Sequence, residues 1–318
     1  MKPGGPAIVR SIVAVIVLAL ALATACGSGD ENRRVSIGHS LGQSEVNGIP
    51  ERIVALGTQW LDATEALGIT PVGYIDDVAV STGAPAPWEP PELADSVAID
   101  PRGDILAQVQ ALDPDLILTP GFAADEKNYG GLSKIAPTVP NLGNTQIDSW
   151  TAQVDVLGKI LDREGQAASL IANLNGRIDA IAKKYPGLAG KTYAAIRVES
   201  PTEFSAITAP EIGANTLFTK LGMKLPPQLT ADPQAGRKTF PLERIVDFPT
   251  DLLVITATSP EAADALGAVP GYYELPSVQK GSVAVLDIAT GTGLELLSPL
   301  SLPYALDMLD PTLEVAAT

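Results

Sequence analysis

Apolar residues between Asp162 and Tyr185 recur at Ala167, Leu170/Ile171, Leu174, Ile178, Ile181/Ala182 and Tyr185. Gaps of three and four residues are the one-sided stripe of an amphipathic helix. Asp162 stands where it can cap the first turn, Asp179 precedes Lys183 by one helical turn, and Pro186-Gly187 stops the helix. At 1.5 Å per residue it spans about 36 Å, the width of a small domain. Gly165 weakens the start, so an irregular first turn is expected. A shorter stripe, Trp150, Val154, Leu157 and Ile160/Leu161, leads into it. Two readings follow: a long surface helix of one large domain, or a beam between two lobes. Similar strand–helix patterns on both sides favour the beam.

Before it, the pattern predicts a hairpin over Val35–Val46 with Asn47-Gly48 as a turn, and strands at Arg52–Leu56, Val72–Ile75, Asp115–Leu118 and Thr138–Leu142. Helices are expected over Leu61–Leu67 and Asp104–Leu112, and residues 81–92, rich in proline, as an exposed loop. After it, strands are expected at Thr192–Val198, Asp251–Ile255 and Val283–Asp287, and helices at Ile212–Leu221, Glu261–Leu266 and Pro299–Leu309. Strands alternating with helices imply mostly parallel sheets with helices on their faces. Open α/β sheets take ligands beyond the carboxyl ends of their strands. The expected fold is therefore α/β: two mostly parallel-sheet lobes, one long joining helix and a cleft between them.

The first residues change the picture of where the chain works. Lys2 and Arg10 precede an apolar run, Ser11 to Thr24, and then Ala25-Cys26-Gly27. Charge, apolar core and small residues describe a secretory signal. The run is shorter than the ~20 residues of a membrane-spanning helix. Leu22-Ala23-Thr24-Ala25-Cys26 resembles a bacterial lipobox, which implies that Cys26, the single cysteine, is lipidated and anchors the protein to the outer face of the cytoplasmic membrane. The expected organisation is a signal over 1–25, a flexible tether over 26–34, a first lobe over 35–148, a helical region over 149–189 and a second lobe over 190–318. A net charge of −16 argues against nucleic acid as a partner.

Five segments then carry a family resemblance in order: Pro50–Leu56, Ala66–Gly73, Ala111–Ile117, Leu132–Thr138 and Leu275–Val283. They are similar to ABC-transporter solute-binding proteins for ferric siderophores and vitamin B12. The resemblance implies two α/β lobes on a rigid helix, in agreement with the stripe. It also implies a ferric siderophore as ligand and an ABC importer permease as partner.

Candidate site residues follow in part from the resemblance. Hydroxamate-binding members place an arginine before the helix leading to the Pro-Asp-Leu strand. Arg102 is one position away, and the alternative is a surface arginine paired with Asp100 or Asp104. Members also carry an aromatic residue after the following glycine, here Phe122 where a tyrosine is found in the family example. The resemblance also implies a role for Arg237, six residues before Glu243, in the segment where the family's second lobe faces the ligand. Arg197 is a candidate from strand-end position alone; each arginine could equally be a solvated charge. Arginine suits an anionic or oxygen-rich ligand because it offers several donors in a fixed fork. Trp60, Trp88 and Tyr129 fall on expected loops, where they either line an apolar ligand wall or bury against their own loops. Permease docking in the family uses one surface carboxylate per lobe. Glu243 matches the second; the first falls on uncharged Ala107, with Asp104 one turn earlier as a possible substitute.

His39 is the lone histidine, which argues against a site for bare metal ions. Tyr74 and Tyr129 leave haem open, and vitamin B12 stays open too. No nucleophile–base set and no phosphate-binding loop is legible. Thr290-Gly-Thr-Gly293, which no Lys-Ser/Thr follows, reads as a loop. No enzyme and no resident cofactor are expected. The rival to a transport receptor is a cell-envelope scaffold lipoprotein that keeps the fold.

Overall fold

A computed structural model describes residue 1 and residues 33–120, 126–143, 145, 147–230 and 236–318. The expected signal, Cys26 and Phe122 lie outside the described residues. Strands β1 (Arg34–His39) and β2 (Gly42–Asn47) pair antiparallel, with Arg34 opposite Asn47 and His39 opposite Gly42. The hairpin therefore turns at Ser40-Leu41, not at Asn47-Gly48. Gly42, at φ +127°, supplies the conformation the reversal needs.

The first sheet contains β3 (Ile53–Leu56), β4 (Gly73–Ile75), β5 (Val97–Ala98), β6 (Leu116–Leu118) and β7 (Thr138–Val139), in the order β5-β4-β3-β6-β7, all parallel. Helices α1 (Thr58–Ala66), α2 (Asp77–Thr82), α3 (Ile105–Ala111) and α4 (Glu126–Leu132) connect its strands. One of these helices was not legible as such: α2 runs into the proline-rich loop. The second sheet contains β8 (Tyr193–Ser200), β9 (Glu203–Ile207), β10 (Arg237–Pro241), β11 (Leu252–Ala257) and β12 (Val283–Leu286), in the order β10-β9-β8-β11-β12. Here β8, β11 and β12 are parallel, whereas β9 and β10 are antiparallel additions at one edge.

Between the sheets run α5 (Trp150–Ile160) and α6 (Glu164–Lys184). Ala167, Leu174 and Ile178 of α6 are buried, on the expected stripe. Asp162 does not cap α6. It closes α5 in the left-handed region at φ +58°, where Arg163 N–H donates to Gly158 O at 2.8 Å. That is the geometry of a helix C-terminal motif, which a short polar residue tolerates best after glycine and asparagine.

The remaining helices are α7 (Ala214–Lys220), α8 (Pro227–Thr230), α9 (Pro260–Gly267), α10 (Pro276–Lys280), α11 (Ile288–Glu295) and α12 (Ser301–Ala317). Helix α12 lies along α6, with Asp307 bonded to Arg177 at 3.0 Å and Asp310 to Lys184 at 2.8 Å. Strand alternation divides the core. In β3, Ile53 and Ala55 face one cluster and Val54 and Leu56 another; in β11, Leu252 and Val254 separate likewise from Leu253 and Ile255. The cluster holding Ile53 and Leu252 is continuous through α5, α6 and α12. One apolar core thus crosses from sheet to sheet, and the beam is part of it.

Candidate functional site

The carboxyl ends of β3 and β4 are tied together by reciprocal hydrogen bonds. Thr58 N–H donates to Asp77 Oδ2 at 2.9 Å, and Asp77 N–H to Thr58 Oγ1 at 2.7 Å. Thr58 Oγ1 donates to Asp76 Oδ1 at 2.9 Å, while Asp76 caps α2 by accepting from Val78 and Ala79. Gly57, at φ +124°, packs against Pro120 in this turn. Asp77 is thereby held at the strand ends. Burial pushes its carboxyl up, against the Thr58 hydrogen bonds that favour the charged form.

From the opposite sheet, alternation along β8 leaves Ala195, Arg197 and Glu199 only part-buried or exposed, while Ile196 and Val198 are buried. Ser205 on β9 pairs with Arg197 in register and joins the polar groups: its hydroxyl donates to Glu199 Oε1 at 2.8 Å and accepts from Arg237 Nη1 at 2.9 Å. Arg237 also pairs directly with Glu295 of α11. Arg197 lies 3.9 Å from Glu295 and 3.6 Å from Glu199, and donates to Thr292 Oγ1 at 3.4 Å. Burial lowers the Arg237 pKa, the Glu199 charge opposes that, and Arg197 adds to it.

These groups face one another across a cavity of about 330 Å³ lined by Asp77, Ser81, Arg197, Glu199, Arg237 and Glu295, among others. A second, mainly apolar cavity of about 280 Å³ meets it at Asp77 and is lined by Leu56, Ile75, Ile105, Leu106 and Leu132. The arrangement offers guanidinium donors at one end and an apolar wall at the other, as small-molecule sites do.

The other expected site residues fall elsewhere. Arg102 is exposed; its backbone N–H donates to Asp100 Oδ1 at 2.9 Å, and only its neighbour Pro101 lines the apolar cavity. Trp60 sits in α1, not on a loop, and is wholly buried with its indole N–H 3.3 Å from Thr119 O. It is a core residue because the first turn of α1 faces inward. Tyr129 sits on α4 and packs edge-on against His39 of the hairpin, with its hydroxyl 3.4 Å from Nε2. Asp104 caps α3 through Ala107 N–H at 3.0 Å, and Glu243 is exposed on a short 3-10 helix.

Trp88 joins the two halves of the molecule. Its indole N–H donates to Asp62 Oδ2 at 2.9 Å, and its ring lies 5.4 Å from that of Tyr304 and against Gly293. Ser298 also donates to Asp62, and Gln59 donates to Leu297 O at 2.8 Å. Thr290–Gly293 is therefore helix, not loop. Gly291 lets α11 settle onto Thr256 of β11, and Gly293 admits the Trp88 ring. Sequence reasoning missed Glu295, which nothing in its neighbourhood marks. Glu199 and Asp77 had a signal: each lies just past the end of an expected strand, Thr192–Val198 and Val72–Ile75.

A family model of periplasmic binding proteins matches residues 53–290. The chain belongs to that family. Members are solute-binding components of transport, not enzymes. The probable siderophore-binding lipoprotein YfiY of Bacillus subtilis is 26% identical over 230 residues, covering 68% of this chain and 67% of the relative. A periplasmic solute-binding protein of Mycobacterium smegmatis shares the fold at a TM-score of 0.76 and 23% identity, covering 90% of this chain and 99% of that one. Streptococcus pneumoniae PiaA, in complex with ferrichrome, does so at a TM-score of 0.73 and 22% identity, covering 88% and 99%. The α/β two-sheet architecture expected for a siderophore-binding protein of this family is thus what the chain adopts.

Proposed function

We propose that this protein captures a ferric siderophore between its two sheets and delivers it to an ABC importer, held at the outer face of the cytoplasmic membrane by a lipid on Cys26. The observation that carries the reading is the convergence of Arg197 and Arg237 on a cavity of about 330 Å³ that Asp77 and Ser81 of the first sheet also line. Two guanidinium groups suit the oxygen atoms that surround Fe(III). The named ligands of relatives, ferric enterobactin and Fe(3+)-citrate among them, support the ligand class. Glu243 with Asp104 form the permease-facing surface in this reading.

The test is a tryptophan-fluorescence titration of the protein against ferric hydroxamate, catecholate and carboxylate siderophores, with haemin and cobalamin in the same panel. Saturable quenching by a ferric siderophore at micromolar or tighter affinity is expected. Saturation by haemin or cobalamin alone would replace the ligand. No saturation by any of them would move the assignment to an envelope scaffold. Incorporation of labelled palmitate, lost in Cys26→Ala, tests the anchor.

A further inference from the structure

The charges around the cavity narrow the ligand further than the presence of arginine does. Among the described residues, Arg197 and Arg237 face Glu199 and Glu295, with Asp77 as a third carboxyl group. Two cations and two or three carboxyl groups sum to a neutral or slightly negative wall. The pairs are not remote: Arg237 contacts Glu295 directly, and Arg197 has carboxylate oxygens at 3.6 and 3.9 Å. Side chains of Arg197 and Glu295 are only 20% and 23% exposed, so solvent screens them incompletely.

We infer that the ferric complex accepted here carries no net negative charge, as a neutral or cationic tris-hydroxamate does and a tris-catecholate or citrate complex does not. This rests on the siderophore reading above and selects a class within it. Three hydroxamates, each singly charged, neutralise Fe(III), whereas three doubly charged catecholates leave an excess of three negative charges. A polyanion drawn to Arg237 would have to displace Glu295, leaving a partly buried carboxylate without its direct partner; breaking such a pair is costly. A neutral complex needs no displacement. Each guanidinium has five N–H donors, and among the described residues Arg197 uses only one, at 3.4 Å, so donors remain for hydroxamate oxygens. The adjoining apolar cavity fits the same class. Among the described residues its charged lining group is Asp77 and the rest are mainly apolar, so the aliphatic spacers of a hydroxamate find a wall there. A protein of net charge −16 also repels a polyanion before contact.

The experiment titrates the full chain with ferrichrome (neutral hydroxamate), ferrioxamine B (cationic hydroxamate), ferric enterobactin (trianionic catecholate) and ferric citrate, following tryptophan fluorescence. The two hydroxamates are expected to bind at least tenfold more tightly than either anion. Glu295→Gln removes one negative charge from the wall and is expected to narrow that preference about tenfold. Glu199→Gln, at a more exposed carboxylate, serves as a second variant if the first misfolds. Enterobactin or citrate binding as tightly as the hydroxamates would overturn this inference and leave the siderophore reading standing. A hydroxamate preference that neither variant narrows would overturn it as well, because the wall charge would then not be its cause. Binding of no ferric complex would overturn the siderophore reading itself.

Discussion

The indole ring of Trp88 rests on Gly293 so closely that no side chain could stand there. The contact joins the loop after α2 to α11, the helix whose Thr292 and Glu295 hold the two cleft arginines. Gly293→Ala is therefore expected to destabilise the protein. Overpacking typically costs 1–3 kcal/mol, and the better helix propensity of alanine returns about 1 kcal/mol. A lowered urea midpoint at unchanged m-value is the expected result; a raised midpoint would show that the ring can move aside.

Asp62 gives the same junction a pH dependence. Burial pushes its carboxyl up to about 8, opposed by hydrogen bonds from Ser298 and Trp88, with Asp76 and Glu89 adding like charge. Glu65, whose two carboxyl oxygens are buried without partners, is also pushed up to about 8 by burial and by Asp62, Glu89, Glu92 and Asp76. Both groups bind protons more tightly in the folded than in the unfolded protein. Their contribution is thus complete below the unfolded value near 4 and is lost as pH rises through about 8. Each group contributes up to about 1.4 kcal/mol per pH unit between those limits. Denaturant titrations from pH 5 to 9 should show stability falling, with a shallower fall in Asp62→Asn.

The arginines are expected to separate in their effect on binding. In the proposed site Arg237→Ala removes a donor and leaves Glu295 without its direct partner, so ferric-siderophore affinity should fall by about 1.5–3 kcal/mol. Arg102→Ala, at an exposed position outside both cavity walls, should change it by less than about 0.5 kcal/mol. Equal losses, read by fluorescence titration, would return Arg102 to the site.

Glu243 is exposed and lines neither cavity. Glu243→Ala should therefore keep ligand affinity and lose uptake in vesicles holding the importer. Uptake at the unchanged rate would remove this carboxylate from the permease surface.

The local pattern along the chain determined the elements that carry their own signal. The stripe of α6 could be read because its apolar residues fall every three to four positions, and the parallel strands because they are short apolar runs bounded by turns. Repetition of the strand–helix pattern on both sides of that stripe pointed to two lobes, and the family motifs agreed. What the stripe could not say is that Asp162 closes α5 instead of opening α6, since both positions ask for a small polar residue. The sequence offered Arg197 and Arg237 as candidates, and tertiary packing decided which charges they meet. Arg197, Arg237 and Glu295 come from β8, β10 and α11, and only the strand order of the second sheet brings them within reach. Thr290–Gly293 has poor helix propensity and becomes helix because its glycines fit Thr256 on one side and Trp88 on the other. Trp60 and Trp88 looked alike in sequence; one sank into the core and the other became the wedge between the sheets. Local periodicity determines which residues face inward along an element, but which charges face one another depends on long-range packing.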